Sequence, residues 1–222
     1  MTRLLFSFGL FSFIVLASTS SVIAQELQIV STNPVLISDP VTSHAYYGTL
    51  GGSPQTFTIS KSEPFALFLT VLEPFSTNAK QDISAAIIDS KHPETPVAVV
   101  DGPSVEWQKF TDSSAQDDYL AGPSFRATLP EGEYEIRVWS TNNDSPFVLI
   151  VGEGKPVFLK RIFNAYHVLP AIQKQFFDKS FPETYLAPIL FWPIFFLVIF
   201  ILILVLIILY FRRKMNQGQI SL

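Results

Sequence analysis

Between Ile189 and Phe211 run 23 residues without a single charge. At about 1.5 Å per residue, a helix of that length crosses the ~30 Å hydrocarbon core of a bilayer with a little tilt. Trp192 near its start and Tyr210 near its end put amphipathic rings where headgroups meet hydrocarbon. Arg212, Arg213 and Lys214 follow at once and hold that end on the cytoplasmic side. Pro188 and Pro193 fall in the first turns, where a helix tolerates missing donors. The opposite end reads as a secretory signal. Arg3 opens it, Leu4 to Leu16 is apolar, and small residues from Ala17 lead to a cleavage site after Ala24. The expected product is a single-pass type I membrane protein with its N-terminal domain extracytoplasmic and its C-terminus cytoplasmic. Five segments follow: signal peptide 1–24, β domain 25–152, amphipathic juxtamembrane segment 153–186, transmembrane helix 187–211 and short basic tail 212–222.

From residue 27 to 152, short β-branched and aromatic runs alternate with Pro, Gly, Asn, Asp and Ser clusters at roughly 8–12 residue spacing, the rhythm of antiparallel strands. Strands are expected near 27–30, 44–50, 55–60, 65–72, 83–89, 97–100, 105–110, 124–129, 133–140 and 146–151. Gly51-Gly52-Ser53-Pro54 reads as a hairpin turn, and Pro130-Glu131-Gly132 and Thr141 to Asp144 as further turns. The fold class is therefore mainly β. An antiparallel β-sandwich or jelly-roll ectodomain is followed by a kinked amphipathic juxtamembrane helix and one transmembrane helix. Hydrophobic residues make up 48% of the chain and there is no cysteine, so the core must hold without disulfides, which a domain of this size can do. The lack of cysteine also removes thiolate nucleophiles, Cys-ligated zinc and iron–sulfur clusters. A net charge of −4 argues against nucleic acid as a partner. That charge is unevenly placed: residues 25–152 hold 16 acids and 6 bases (net −10), and residues 153–186 hold 3 acids and 5 bases (net +2).

Strand faces carry more information. Tyr134, Ile136 and Val138 alternate with Glu133, Glu135, Arg137 and Trp139, so the first set belongs to the core and the second faces out. Trp139 then stands on a polar face beside Arg137, a costly place for an indole unless something covers it. Trp and Arg are the side chains most often energetic at interfaces. Arg137 and Trp139 are thus the expected partner-binding residues, with a protein as the partner. Phe65 to Leu72 is apolar on both faces, which predicts a cover beyond the opposing sheet. Residues 156–179 supply a candidate. Phe158, Ile162, Ala165, Leu169, Ile172 and Phe176 form one stripe, with Lys160, Asn164, His167, Lys174 and Asp178 on the other side. Pro170 is expected to kink this segment into two short helices. Such a segment lies either along lipid headgroups or on the acidic sandwich. The expectation favours the membrane, with Phe158, Ile162, Leu169, Ile172 and Phe176 in contact with it.

No GxSxG, P-loop or GxGxxG motif occurs, and His44, His92 and His167 lack metal-ligand spacing. No catalytic residue, cofactor or metal is expected, and the chain is not read as an enzyme. Asp112, Asp117 and Asp118 fall in an apparent solvated loop without EF-hand spacing. With Trp107, Phe110 and Tyr119 they form the candidate ligand-binding set of an alternative reading, because flat rings flanked by carboxylates suit sugar stacking. A cell-surface glycan would then be the ligand. The plainer reading has Trp107 and Phe110 plugging the end of the sandwich. Phe181 to Tyr185 follows the order of an LPxTG sorting signal, but with tyrosine where the small glycine is required. Asn143-Asp144-Ser145 is an N-glycosylation sequon in a predicted turn.

Tyr46-Tyr47-Gly48-Thr49-Leu50, then Gln55 to Ile59, then Asp82 to Ile88, closing with Gly132 to Val138, resembles the order of elements in bacterial pre-peptidase C-terminal (PPC) domains. Those are accessory β-sandwiches of secreted proteins that bind or anchor, and the resemblance implies the same for residues 43–151. Asp82 stands alone where the family has an acidic pair, so no calcium site is carried over. The layout of signal, sandwich, helix and single span is also similar to that of GOLD-domain cargo receptors, with residues 156–179 in place of their coiled-coil stalk. The expected function is a membrane-anchored, non-catalytic binding module.

Overall fold

Alternating burial sorts the strands into two sheets. The computed structural model describes residues 25–218; the signal peptide expected at 1–24 and the end of the tail lie outside them. Strands β1 (Glu26–Ile29), β3 (His44–Thr49), β11 (Pro146–Val151), β5 (Phe65–Pro74), β9 (Asp117–Leu129) and β8 (Gln108–Asp112) lie side by side, in that order, as a six-stranded sheet. Strands β2 (Val35–Ile37), β4 (Gln55–Lys61), β10 (Gly132–Trp139), β6 (Ser84–Asp89) and β7 (Ala98–Val100) form a five-stranded sheet. The pairs β1–β3 and β2–β4 are parallel and the others antiparallel. The inward faces meet in one core that includes Phe57, Ile59, Leu67, Leu69, Ile87, Ile136, Phe147 and Leu149. This is the antiparallel β-sandwich that the alternation predicts. Tyr134, Ile136 and Val138 are inward as expected. The Tyr134 hydroxyl donates to the Pro130 carbonyl at 3.0 Å, pinning the corner where the chain crosses from β9 to β10.

Three local readings need correction. β2 has no counterpart among the expected strands, because Pro34 and its polar neighbours mask three residues. Gly51 to Pro54 is not a hairpin turn: it carries the chain from β3 in one sheet to β4 in the other. The expected loop around Asp112, Asp117 and Asp118 is a hairpin, β8 paired with β9 from Gln108↔Ala121 to Asp112↔Asp117. Within β9, Gly122 and Pro123 sit where the β5–β9 register shifts. A bulge tolerates the donor that proline lacks.

Three helices follow. α1 (Phe158–Phe177) runs unbroken through Pro170, so the expected division into two short helices does not occur. The proline removes one backbone hydrogen bond, but Leu169, Ile172 and Gln173 on either side are buried, and this packing holds the helix together. α2 (Phe181–Leu186) starts at a capping box in which Ser180 and Glu183 satisfy each other's backbone donors. The residues that follow sorting-signal order are therefore helical, with Thr184 buried. α3 (Pro188–Gly218) contains a 26-residue stretch, Pro188–Arg213, within which an 18-residue window reaches a mean hydropathy of 3.6, long and apolar enough to cross a membrane.

Candidate functional site

The outward residues of the six-stranded sheet are apolar, and α1 lies over them. Ala45, Tyr47, Leu72, Tyr119, Val148 and Ile150 cluster with Ile172, and Val168, Phe176 and Phe177 pack alongside. The cover expected from the two-sided apolar character of β5 is thus present at its Leu72 end. Leu169 and Ile172, expected against the membrane, are instead 2% and 0% exposed against the sandwich and the first turn of α3. Phe176 is half-buried with its ring 5.6 Å from that of Tyr47. Ile162 is half-buried and Phe158 exposed. The apolar surface of the sheet competes with lipid for this stripe and holds its central residues.

Polar groups fasten the docking. Asn164 accepts from the Leu27 N–H at 2.7 Å and donates to the Leu27 carbonyl at 2.9 Å, so its amide occupies the free edge of β1 as another strand would. Asp117 is fully buried and accepts from Lys179 Nζ at 2.6 Å and from Gln173 Nε2 at 3.0 Å. Burial pushes its carboxyl above the ordinary carboxylate range, with Lys179 and Gln173 opposing. Lys179 Nζ also donates to the Gln116 carbonyl at 2.6 Å. The head of α3 grips the same β8–β9 turn: the Ile189 N–H donates to the Ser114 carbonyl at 3.1 Å. The Tyr166 hydroxyl donates to the Leu190 carbonyl at 2.8 Å. The domain is therefore seated directly on the start of α3, with no free linker between them.

These contacts reassign the aromatic–acidic set. Trp107 is buried, its Nε1 donating to the Gly102 carbonyl at 3.0 Å. Its ring fills the space a Cβ at Gly122 would occupy, 2.5 Å away. It plugs the sandwich, as the plainer sequence reading has it, and the alternative sugar-stacking role does not fit. Phe110 stacks on Tyr119 at 5.4 Å, and Tyr119 shares a 2.8 Å hydroxyl contact with Tyr47. Both tyrosines are pushed above their ordinary pKa, chiefly by burial. Asp112 accepts from the Ser114 N–H and hydroxyl. Asp118 is held below the ordinary range by hydrogen bonds from Lys109 and Thr111. The cavity among Tyr47, Asp112, Tyr119 and Arg161 has a volume of about 30 Å³, room for one water and not for an organic ligand. Among the described residues, no group of three or more His, Asp or Glu side chains could hold a metal ion. Asp82 accepts from the Thr141 N–H and the Ser145 hydroxyl, joining two connections at one end of the sandwich. Glu73, which sequence reading missed, is buried and accepts from the N–H groups of Lys80 and Gln81.

The five-stranded sheet turns the opposite face outward. The register sets Arg137 opposite Thr56 and Ala86, Glu135 opposite Thr58 and Ile88, and Trp139 opposite Ser84. Arg137 is exposed and binds Glu135 of its own strand at 2.7 Å, while Trp139 is half-buried. Leu36 on edge strand β2 and Val99 on edge strand β7 are 68% and 54% exposed. The ion pairs, aromatic contacts and side-chain hydrogen bonds that α1 makes with the sandwich go to the six-stranded side. The five-stranded face therefore presents an indole, a guanidinium and two flanking aliphatic side chains on a rigid sheet.

No family model matches the chain, and no curated protein matches it. Among solved structures it is similar to the pre-peptidase C-terminal domain of a collagenase from Bacillus anthracis, at 10% identity and a TM-score of 0.34, over 56% of this chain and 93% of that one. It is also similar to CBM35 from Cellvibrio japonicus Abf62, at 12% identity and a TM-score of 0.27, over 47% of this chain and 69% of that one. A β-glucosidase from Paenibacillus barengoltzii matches at 8% identity and a TM-score of 0.27, over 58% of this chain and 13% of that one. The first of these is a domain of the kind that the order of sequence elements resembles.

Proposed function

We propose that the chain is a membrane-anchored, non-catalytic binding module that holds a β-sandwich at the outer surface of a bilayer and offers its five-stranded face to a protein partner. α3 is the span, the sandwich is extracytoplasmic, and Arg212, Arg213 and Lys214 mark the cytoplasmic end. The observation that carries this reading is the unequal treatment of the two sheets. One outward face is sealed by α1, and the other leaves Trp139 beside Arg137 between Leu36 and Val99. A half-buried indole next to a guanidinium on a rigid strand is the kind of anchor that dominates interface energetics. The excess of acids in residues 25–152 adds a field that favours a basic partner surface.

Photo-crosslinking from a probe at position 139 of the full chain, in its native membrane, tests the proposal. A discrete protein adduct that disappears when Arg137→Glu is introduced is the expected result. A probe that yields no adduct, or one that links only to residues of the same chain, overturns it.

A further inference from the structure

The face of α1 that does not meet the sheet has its own pattern. Leu159, Phe163, Tyr166 and Pro170 are spaced by four, three and four residues and so share one side of the helix. Tyr166 fixes where that side looks, because its hydroxyl reaches the Leu190 carbonyl in the first turn of α3. Leu159 and Phe163 are each 63% exposed, far more than such side chains tolerate in water when they form a continuous patch. α2 continues the patch toward the span with Phe181 and Leu186, 75% and 64% exposed. Between the second half of α1 and α2 lies a groove whose lining includes Pro170, Ala171, Lys174, Lys179 and Phe181. The segment 153–186 carries a net charge of +2 beneath a sandwich of net −10.

We infer that the α1–α2 elbow lies in the headgroup layer of the bilayer. Leu159, Phe163, Phe181 and Leu186 dip toward the acyl chains, and Lys174 meets anionic phosphates. The inference rests on reading α3 as a span, since continuity with that helix puts the patch at membrane depth. Exposed aromatic side chains edged by lysine, on a helix joined to a span, match an interfacial helix. Membrane contact thus belongs to a different face of α1 from the one the apolar stripe suggests. The sandwich is consequently held in one orientation over the lipid, with its six-stranded face sealed by α1 and its five-stranded face left open.

The chain has no cysteine, so single substitutions label cleanly. Leu159→Cys, Phe163→Cys, Leu202→Cys and Lys91→Cys would each carry a nitroxide in the full chain, reconstituted in phosphatidylcholine vesicles containing a minor share of phosphatidylglycerol. Power saturation against oxygen and a nickel chelate then reads depth. The expected result is a deep label at 202, an aqueous label at 91, and labels at 159 and 163 several-fold more oxygen-accessible than the one at 91, at headgroup depth. Labels at 159 and 163 as aqueous as the one at 91, with 202 still deep, overturn the elbow while the span stands. An aqueous label at 202 overturns the span, and the elbow with it.

Discussion

The two sheets of this sandwich are built alike on the inside and differ on the outside. Outward positions of β3, β9 and β11 in the six-stranded sheet are Tyr47, Tyr119, Val148 and Ile150, and α1 seals them. Outward positions of β4 and β10 in the five-stranded sheet are Thr56, Thr58, Glu133, Glu135 and Arg137, and water serves them well. A strand therefore declares through its outward register whether a further layer will cover it. Trp139, Leu36 and Val99 break that rule on the open face, which is why this face draws attention as a binding surface. The contrast can be broken from either side.

Removing the seal carries the largest effect. Ile172 is fully buried at the centre of the helix–sheet contact, and Ile172→Ala is expected to cost about 4 kcal/mol, in the upper part of the range for a buried isoleucine. Thermal unfolding of the full chain in detergent, with hydrogen exchange at α1 and β11, measures it. Unchanged protection of α1 would mean that the seal is fastened elsewhere.

Asp117 comes next. Asp117→Asn leaves Lys179 and Gln173 without their carboxylate and is expected to cost about 2 kcal/mol at neutral pH, moderated because Lys179 reaches water. The pH dependence follows from the direction of its shift. Burial raises the folded carboxyl above its unfolded value of about 3.9, so the folded chain binds that proton more tightly. Its contribution is full below the unfolded value and falls as pH rises through the raised folded value. The stability of the native chain minus that of Asp117→Asn should decline with rising pH across this window and level off above it. A difference that grows with pH would mean that Lys179, not burial, governs the site.

Asn164 tests the edge of the sealed sheet. Asn164→Ala removes two hydrogen bonds to Leu27, and water can reach the freed groups, so about 1 kcal/mol is expected. Hydrogen exchange at Leu27 should rise selectively, and an unchanged rate there would assign the edge protection to neighbouring packing.

Much of this architecture is legible in the order of residues. The alternation of Tyr134, Ile136 and Val138 with charged neighbours is a local signal, and so is the uncharged run that becomes α3. What escaped reading depends on distant partners. The stripe Ala165, Leu169, Ile172 and Phe176 reads equally as facing lipid or facing a sheet. The polar groups that decide between these, Gln173 and Asp117, are 56 positions apart. Asp117 to Pro123 carries loop-forming residues, yet it is a strand because β5 and β8 pair with it on either side. That Trp107 plugs the sandwich was legible, but not where, because the missing side chain of Gly122 that makes room for it has no signature of its own. One clue was available: Gln173 borders the apolar stripe on its buried side, where lipid would have offered its amide nothing.

The smallest stability effect belongs to the open face and is the sharpest test of the contrast. Arg137 and Glu135 are both substantially exposed, and their pair spans one strand. Exposed pairs of this kind contribute little, because solvent screens them and holding two long side chains costs entropy. Arg137→Glu should therefore leave thermal unfolding within about 0.5 kcal/mol of the native chain, even though it places like charges at 135 and 137. If the face serves only to stay soluble, crosslinking from position 139 will be indifferent to that change. If it binds, the adduct will vanish while the melting curve stays in place. A melting curve that moves along with the adduct would instead make this face part of the scaffold, as the sealed face already is.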